Sequence, residues 1–324
     1  MAKLLWSPSP ERIARANLTR FIETVRRERG LEIGGYDDLY RWSITEIADF
    51  WESVLRFVDL RLSAPYHTVL SNPVMPGARW FEGARLNFAE NLLRRRDDHT
   101  ALVFVREGGE TAGRLSYAEL YGQVARMAAF LRERGVREGD RVAGFMPNRI
   151  ETVVAMLATT SIGAVWSSCS PDFGFKGVMD RFGQIEPKVL VTADGYFYGG
   201  KTFDSLERAA HVVREIASIE AVVVVPFVSE APDLSGVPKA VAWEDALAGP
   251  AGEIEFTETP FDHPVYIMYS SGTTGVPKCI VHGAGGTLLQ HAKEHILHTD
   301  IGPDDVVFYF TTCGWMMWNW LVSA

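Results

Sequence analysis

One short stretch carries most of the recognisable chemistry: Tyr266-Ile267-Met268-Tyr269-Ser270-Ser271-Gly272-Thr273-Thr274-Gly275-Val276-Pro277-Lys278. A β-branched and aromatic run leads into hydroxyls and glycines. Glycine lets backbone N–H groups converge on an anion without side-chain clash. Ser270, Ser271, Thr273 and Thr274 add hydroxyl donors, and Lys278 adds a positive charge able to neutralise a phosphate oxygen. The pattern reads as an anion cradle. A Walker loop would need GxxxxGK followed by Ser or Thr and a helix, whereas here Gly275 stands three residues before Lys278 and Cys279-Ile280-Val281 follow. That spacing disfavours a kinase-like nucleotide hydrolase. Any three or four of these residues would suit an ordinary surface loop; the whole string with its Pro-Lys end is far more specific.

Other reactive side chains carry less. His291, His295 and His298 recur at i, i+4 and i+7, which a helix would place on one face, but there is no HExxH string and Glu294 lies about 100° from His295. They read as a solvated or core-edge face, and no metal site is assigned. His282 is the better candidate for the edge of the phosphate site. Cys313 has no partner histidine that the sequence can place beside it, so a buried, inert thiol is the expectation.

The elements that must position the loop follow from apolar spacing. Ser9-Pro10 opens a helix with Ala14, Leu18, Phe21, Ile22 and Val25 on one face and Gly30 at its end. Ser43-Ile44-Thr45-Glu46 reads as a capping box before Ile47, Phe50, Trp51, Val54 and Leu55. From about residue 100 short apolar runs alternate with helical stretches, predicting strands at Ala101–Val105, Val142–Met146, Ala164–Ser167, Val189–Thr192 and Ala221–Val225. A helix opened by Ser116-Tyr117-Ala118-Glu119 and stopped by Gly135 separates the first two strands, giving a strand–helix–strand unit. The Pro-, Gly- and acid-rich stretch Ser229–Pro264 predicts a boundary or surface excursion, with a second sheet beginning at Val265. The fold class is α/β: a helical extension over residues 1–95, then strand–helix layers over 96–324, the first sheet unit spanning about 100–255 and the second starting about 260.

Composition sets limits on partners. The 324 residues exceed one ordinary core, and 47% hydrophobic with 23% charged residues is globular rather than disordered or membrane-spanning. A formal net charge of −9 argues against nucleic acid and anionic membranes as partners. Three cysteines without CxxC spacing offer neither a disulfide framework nor a zinc ribbon, and a reducing cytoplasm fits them. The stretch Gly314–Ala324 reads as the start of an apolar helix without a terminating signal, so the expectation is a longer protein.

The string Ser270–Lys278 resembles the phosphate loop of the adenylate-forming superfamily, which includes acyl-CoA synthetases, peptide-synthetase adenylation domains and luciferases. Three more stretches resemble its acetoacetate–CoA ligase branch: Trp80-Phe81-Glu82-Gly83-Ala84-Arg85-Leu86-Asn87-Phe88-Ala89-Glu90-Asn91, Ser167-Ser168-Cys169-Ser170-Pro171-Asp172-Phe173-Gly174, and Gly314-Trp315-Met316-Met317-Trp318-Asn319. Acetyl- and propionyl-CoA synthetases share the layout and the helical extension. The resemblance implies ATP, Mg²⁺ and coenzyme A as co-substrates and an acyl-adenylate intermediate. It implies that Ser270, Ser271, Gly272, Thr273, Thr274, Gly275 and Lys278 hold the nucleotide, with Thr274 and Lys278 serving catalysis, and that Trp315, Met316 and Met317 begin the acid pocket. It also implies a missing carboxyl-terminal half, without which the chain binds ATP weakly and does not turn over.

Overall fold

The structure, a computed structural model, describes residue 3, residues 5–270 and residues 275–324. Helix α1 (Pro10–Arg15) is capped by Ser9, whose Oγ accepts from the Arg12 N–H, with proline in the first turn. The helix expected to run on to Gly30 instead breaks at Ala16 (ψ 139°) and restarts as α2 (Asn17–Arg29). Asp300 explains the restart: its carboxylate accepts the Asn17 N–H at 2.8 Å, satisfying a first-turn donor from far along the chain. Phe21, Ile22 and Val25 are buried, and Gly30 ends α2 in the left-handed region.

The expected capping box at Ser43–Glu46 does not form. Ser43 lies inside α3 (Tyr36–Thr45), where its hydroxyl donates back to Tyr40 O, and α4 (Ile47–Phe57) begins after a single non-helical residue, Glu46. Next comes a ribbon that helix-and-loop reading missed, β1 (Thr68–Ser71) with β2 (Arg79–Glu82). Strand β3 (Arg85–Leu86) leads into α5 (Phe88–Leu92). Asn87 caps α5, accepting from Glu90 N, while its buried amide donates to Ser161 O and Thr257 O at 2.9 Å each. Phe88 packs edge-on to Tyr266, so the 80–91 stretch is a staple behind the strand that feeds the phosphate loop.

Strand β4 (Thr100–Val105) does not start the predicted strand–helix–strand unit. It pairs antiparallel with β5 (Thr111–Ser116) in a separate two-stranded ribbon, and its alternating exposure suits that half-covered position. The Ser116–Glu119 capping box does form, at the head of α6 (Tyr117–Glu133).

The central sheet takes β6 (Arg141–Phe145), β7 (Val165–Cys169), β8 (Val189–Ala193), β11 (Ala221–Val225), β12 (Ala240–Ala242), β14 (Pro264–Ser270) and β15 (Lys278–Gly283) in the order β12-β11-β8-β6-β7-β14-β15. All pairs are parallel except the β14–β15 hairpin. Helix α7 (Ile150–Ser161) packs with α6 on one face. Helices α8 (Phe175–Ile185) and α9 (Leu206–Glu215) cover the other, where Ala143, Phe145, Leu190, Val222 and Val224 point. Between β8 and β11 lies the ribbon of β9 (Gly195–Tyr198) and β10 (Lys201–Asp204). Helix α10 (Trp243–Ala246) follows β12, and β13 (Thr259–Pro260) pairs with β3.

No second sheet opens at Val265. Tyr266 of β14 pairs in parallel with Trp166 of β7, so the excursion after β11 carries the chain across to the opposite side of the same sheet. Val265 and Tyr266 are 2% and 1% exposed, as befits a strand inside a sheet covered on both faces. Helix α11 (Ala284–Lys293) runs into a π-helical turn at Glu294–His298, and α12 (Met316–Val322) ends the described fold.

Candidate functional site

In a doubly wound sheet, ligands bind outside the carboxyl ends of strands where successive connections leave on opposite faces. Here β6 and β7 form that point, with α7 on one face and α8 on the other. The hairpin of β14 and β15 flanks it. Ser270, the last residue of β14, is the register partner of Lys278, the first of β15, so the two stand opposite each other at the hairpin mouth. Lys278 is exposed, Ser270 is half-buried, and Gly275 adopts φ +94°, a conformation suited to glycine. Ser271, Gly272, Thr273 and Thr274 lie outside the described residues. The far stem of the loop is tethered by Gln184 of α8, whose Nε2 donates to Pro277 O at 2.9 Å.

Beneath the mouth, Ser167 Oγ lies 2.7 Å from Ile267 O and 2.9 Å from the Tyr269 hydroxyl. One hydroxyl hydrogen serves one acceptor, so both contacts hold when Ser167 donates to the carbonyl and accepts from Tyr269. Burial raises the Tyr269 phenol well above its ordinary range, which keeps it neutral. The Arg181 guanidinium lies 4.5 Å from the Phe173 ring centre and 5.6 Å from that of Tyr269, joining the Ser-Pro-Asp-Phe-Gly turn to the loop strand.

The Gly314–Asn319 stretch docks into the same crevice. Ser168 Oγ donates to Cys313 O at 2.6 Å, and Trp318 Nε1 donates to Asn148 Oδ1 at 2.9 Å, just past β6. Gly314 suits a close approach: a Cβ there would lie 3.2 Å from Ser170 N, a tight contact. Of the predicted acid-pocket residues, Trp315 is 67% and Met316 49% exposed, and Met317 is half-buried. The inward face of α12 is instead made by Trp318 and Asn319.

The three histidines anchor structure. His291 Nδ1 lies 2.6 Å from Ser323 Oγ and His295 Nε2 lies 2.9 Å from Trp320 O, so both grip α12, while His298 faces Lys293. Burial, aided by His295 and His282, lowers His291 to about 4. His282 is half-buried on β15, and burial lowers it too. Among the described residues, no three His, Cys, Asp or Glu side chains gather as a metal site. Burial pushes the Cys169 thiol up to about 12 and raises Cys313 as well, so neither is a ready thiolate.

Sequence reasoning did not single out Gln184, Arg181 or Asn148. Ser167 and Tyr269 stood inside quoted strings, but only the pairing of β7 with β14 shows that they meet. No helix of the described residues is long and apolar enough to cross a membrane.

Fold and crevice together define the class. A family model described as AMP-binding enzyme matches residues 88–323, and one described as Acetyl-coenzyme A synthetase N-terminus matches residues 36–92. The chain belongs to the AMP-binding enzyme family. It is 46% identical over 332 residues to "Acetoacetyl-CoA synthetase" of Gallus gallus, covering 100% of this chain and 50% of that protein. It is 46% identical over 322 residues to "Acetoacetyl-coenzyme A synthetase" of Rhizobium meliloti (strain 1021), covering 99% and 49%. The solved "Acetoacetyl-CoA Synthetase from Streptomyces lividans" matches with a TM-score of 0.94 at 47% identity, covering 99% of this chain and 50% of that one. The chain thus spans about half the length of the relatives it matches.

Proposed function

We propose that the chain supplies the phosphate-binding hairpin and the first wall of the acid pocket in an AMP-forming acid–CoA ligase that activates acetoacetate. The carrying observation is the Ser270–Lys278 pair, set at the mouth of a glycine-containing hairpin beside the carboxyl-end crevice of the sheet. The names of the relatives support the substrate.

In this reading the acetoacetate carboxylate attacks the α-phosphorus of ATP and pyrophosphate leaves. The coenzyme A thiol then attacks the acyl carbonyl and AMP leaves. No enzyme nucleophile takes part, which agrees with the raised Cys169 and Cys313 thiols. The protein's work is to orient the triphosphate and to offset its developing charge. Lys278 supplies the cation, Ser270 a hydroxyl, and the loop between them backbone donors. Thr274 is proposed to add its hydroxyl to the transferring phosphates. Mg²⁺ enters with ATP, carried on its phosphates.

The alternative is activation of acetate or propionate, favoured by the match of residues 36–92 to the acetyl-coenzyme A synthetase N-terminus. The test extends the chain to the full length of its relatives and measures AMP and pyrophosphate with acetoacetate, 3-hydroxybutyrate, acetate and propionate. Preference for acetoacetate with AMP as product supports the reading; preference for acetate supports the alternative, and ADP as product overturns both. The chain as given is proposed to bind ATP weakly and not to turn over, because the remaining half of the relatives' length is required. Robust acid-dependent ATP–pyrophosphate exchange by it contradicts that proposal.

A further inference from the structure

Behind the docked Gly314–Asn319 stretch, on the core side of α12, lies a small cavity of about 10 Å³ bounded by β7, β14 and the Cys313–Gly314 turn. It has room for about one water. Two of its lining side chains, Trp166 at 1% exposure and Asn319 at 3%, carry polar atoms with no partner among the described residues: the indole Nε1 and the amide Oδ1. Leaving both unpaired in the core would cost on the order of several-fold to a hundredfold each in folding equilibrium.

The hydrogen-bonding roles around the cavity are fixed by their other contacts. Trp166 Nε1 can only donate. The Asn319 NH₂ group faces Met268 Sδ at 3.2 Å, and a thioether only accepts, so Oδ1 is the atom left over as an acceptor. Ser168, also lining the cavity, gives its hydroxyl hydrogen to Cys313 O at 2.6 Å, which leaves its oxygen as an acceptor. These three side chains therefore offer a set of one donor and two acceptors. A metal cation is excluded by the N–H, and an anion by the two oxygens. A water molecule matches it: it accepts from the indole and donates to both oxygens, the three bonds usual for buried water.

We propose that this cavity is a built site for one ordered water, held by Trp166, Asn319 and Ser168. It joins β7 to α12, the helix that begins with Met316 and Met317, and it stands whichever acid is activated.

A high-resolution crystal structure of this chain tests it. The expected result is a single peak within about 3.2 Å of Trp166 Nε1, Asn319 Oδ1 and Ser168 Oγ. No peak, or the three atoms paired directly with protein groups, overturns the proposal. A thermal-unfolding cycle with Trp166→Phe and Asn319→Leu adds an independent reading. Each single change is expected to lower the midpoint by about 2 °C, and the pair by clearly less than the sum, because both act through one shared water. Strictly additive shifts contradict it.

Discussion

Ser270 and Lys278 face each other as register partners at the loop end of the β14–β15 hairpin. This places a hydroxyl and a cation on the two sides of one loop, at the sheet end where ligands of such folds collect. Because Lys278 is exposed, its replacement is expected to act on chemistry and not on folding. Lys278→Ala in the full-length enzyme is expected to lower kcat/KM for ATP by about 10²-fold with an unchanged melting midpoint. Steady-state AMP formation beside a thermal melt checks both halves of the statement.

Gln184 holds the other stem of the loop through Pro277 O. Gln184→Ala removes two exposed hydrogen bonds, to Pro277 O and to Asp180 O, so KM for ATP is expected to rise by about 2- to 10-fold with little change in stability. Gln184→Glu keeps length but loses the donor, and should resemble Ala.

Gly144 sits on β6 under the Trp166 ring, where an added Cβ would lie 2.6 Å from Trp166 Cζ2. The indole is fully buried and cannot move aside cheaply. Gly144→Ala is expected to destabilise the fold by about 1–3 kcal/mol, measured by urea unfolding.

Low pH should loosen α12. His291 falls from an ordinary 6.5 to about 4 in the fold, chiefly by burial, so between those values the unfolded chain binds a proton that the folded chain does not. The stabilising contribution is complete above pH 6.5, shrinks as pH falls, and levels off below about 4. The loss is on the order of 3 kcal/mol. His295, also lowered by burial, adds in the same direction. His291→Gln should flatten the slope of unfolding free energy over this window; an unchanged slope contradicts the assignment.

Much of this architecture was legible because the central strands are covered on both faces. Ala221–Val225 reads as an unbroken apolar run, and Val189–Thr192 as a nearly unbroken one, for that reason. The ribbons were illegible or misplaced, since Thr68–Ser71 is short and uniformly half-buried and Lys201–Asp204 short and exposed, neither showing the alternation that marks a strand. Ser43–Glu46 shows a local signal overruled: the motif fits a cap, but the chain continues its helix to Thr45 and turns at Glu46, where Trp42 meets Phe50 edge-on. Val265 was misread because only tertiary pairing with Trp166 tells a new sheet from the return to an old one. The phosphate loop was legible because its residue types are its chemistry. Its supports, Gln184 and the Ser167–Tyr269 pair, come from distant stretches that sequence spacing cannot bring together.

The central claim is that the hairpin mouth receives a nucleotide's triphosphate tail. Titrating ¹⁵N-labelled chain with Mg·ATP, and separately with pyrophosphate, reads it residue by residue. The account predicts that the Ser270, Gly275 and Lys278 amides shift with both ligands and that Lys278→Ala abolishes those shifts. Perturbations confined to other parts of the sheet, or none at saturating ligand, would contradict it.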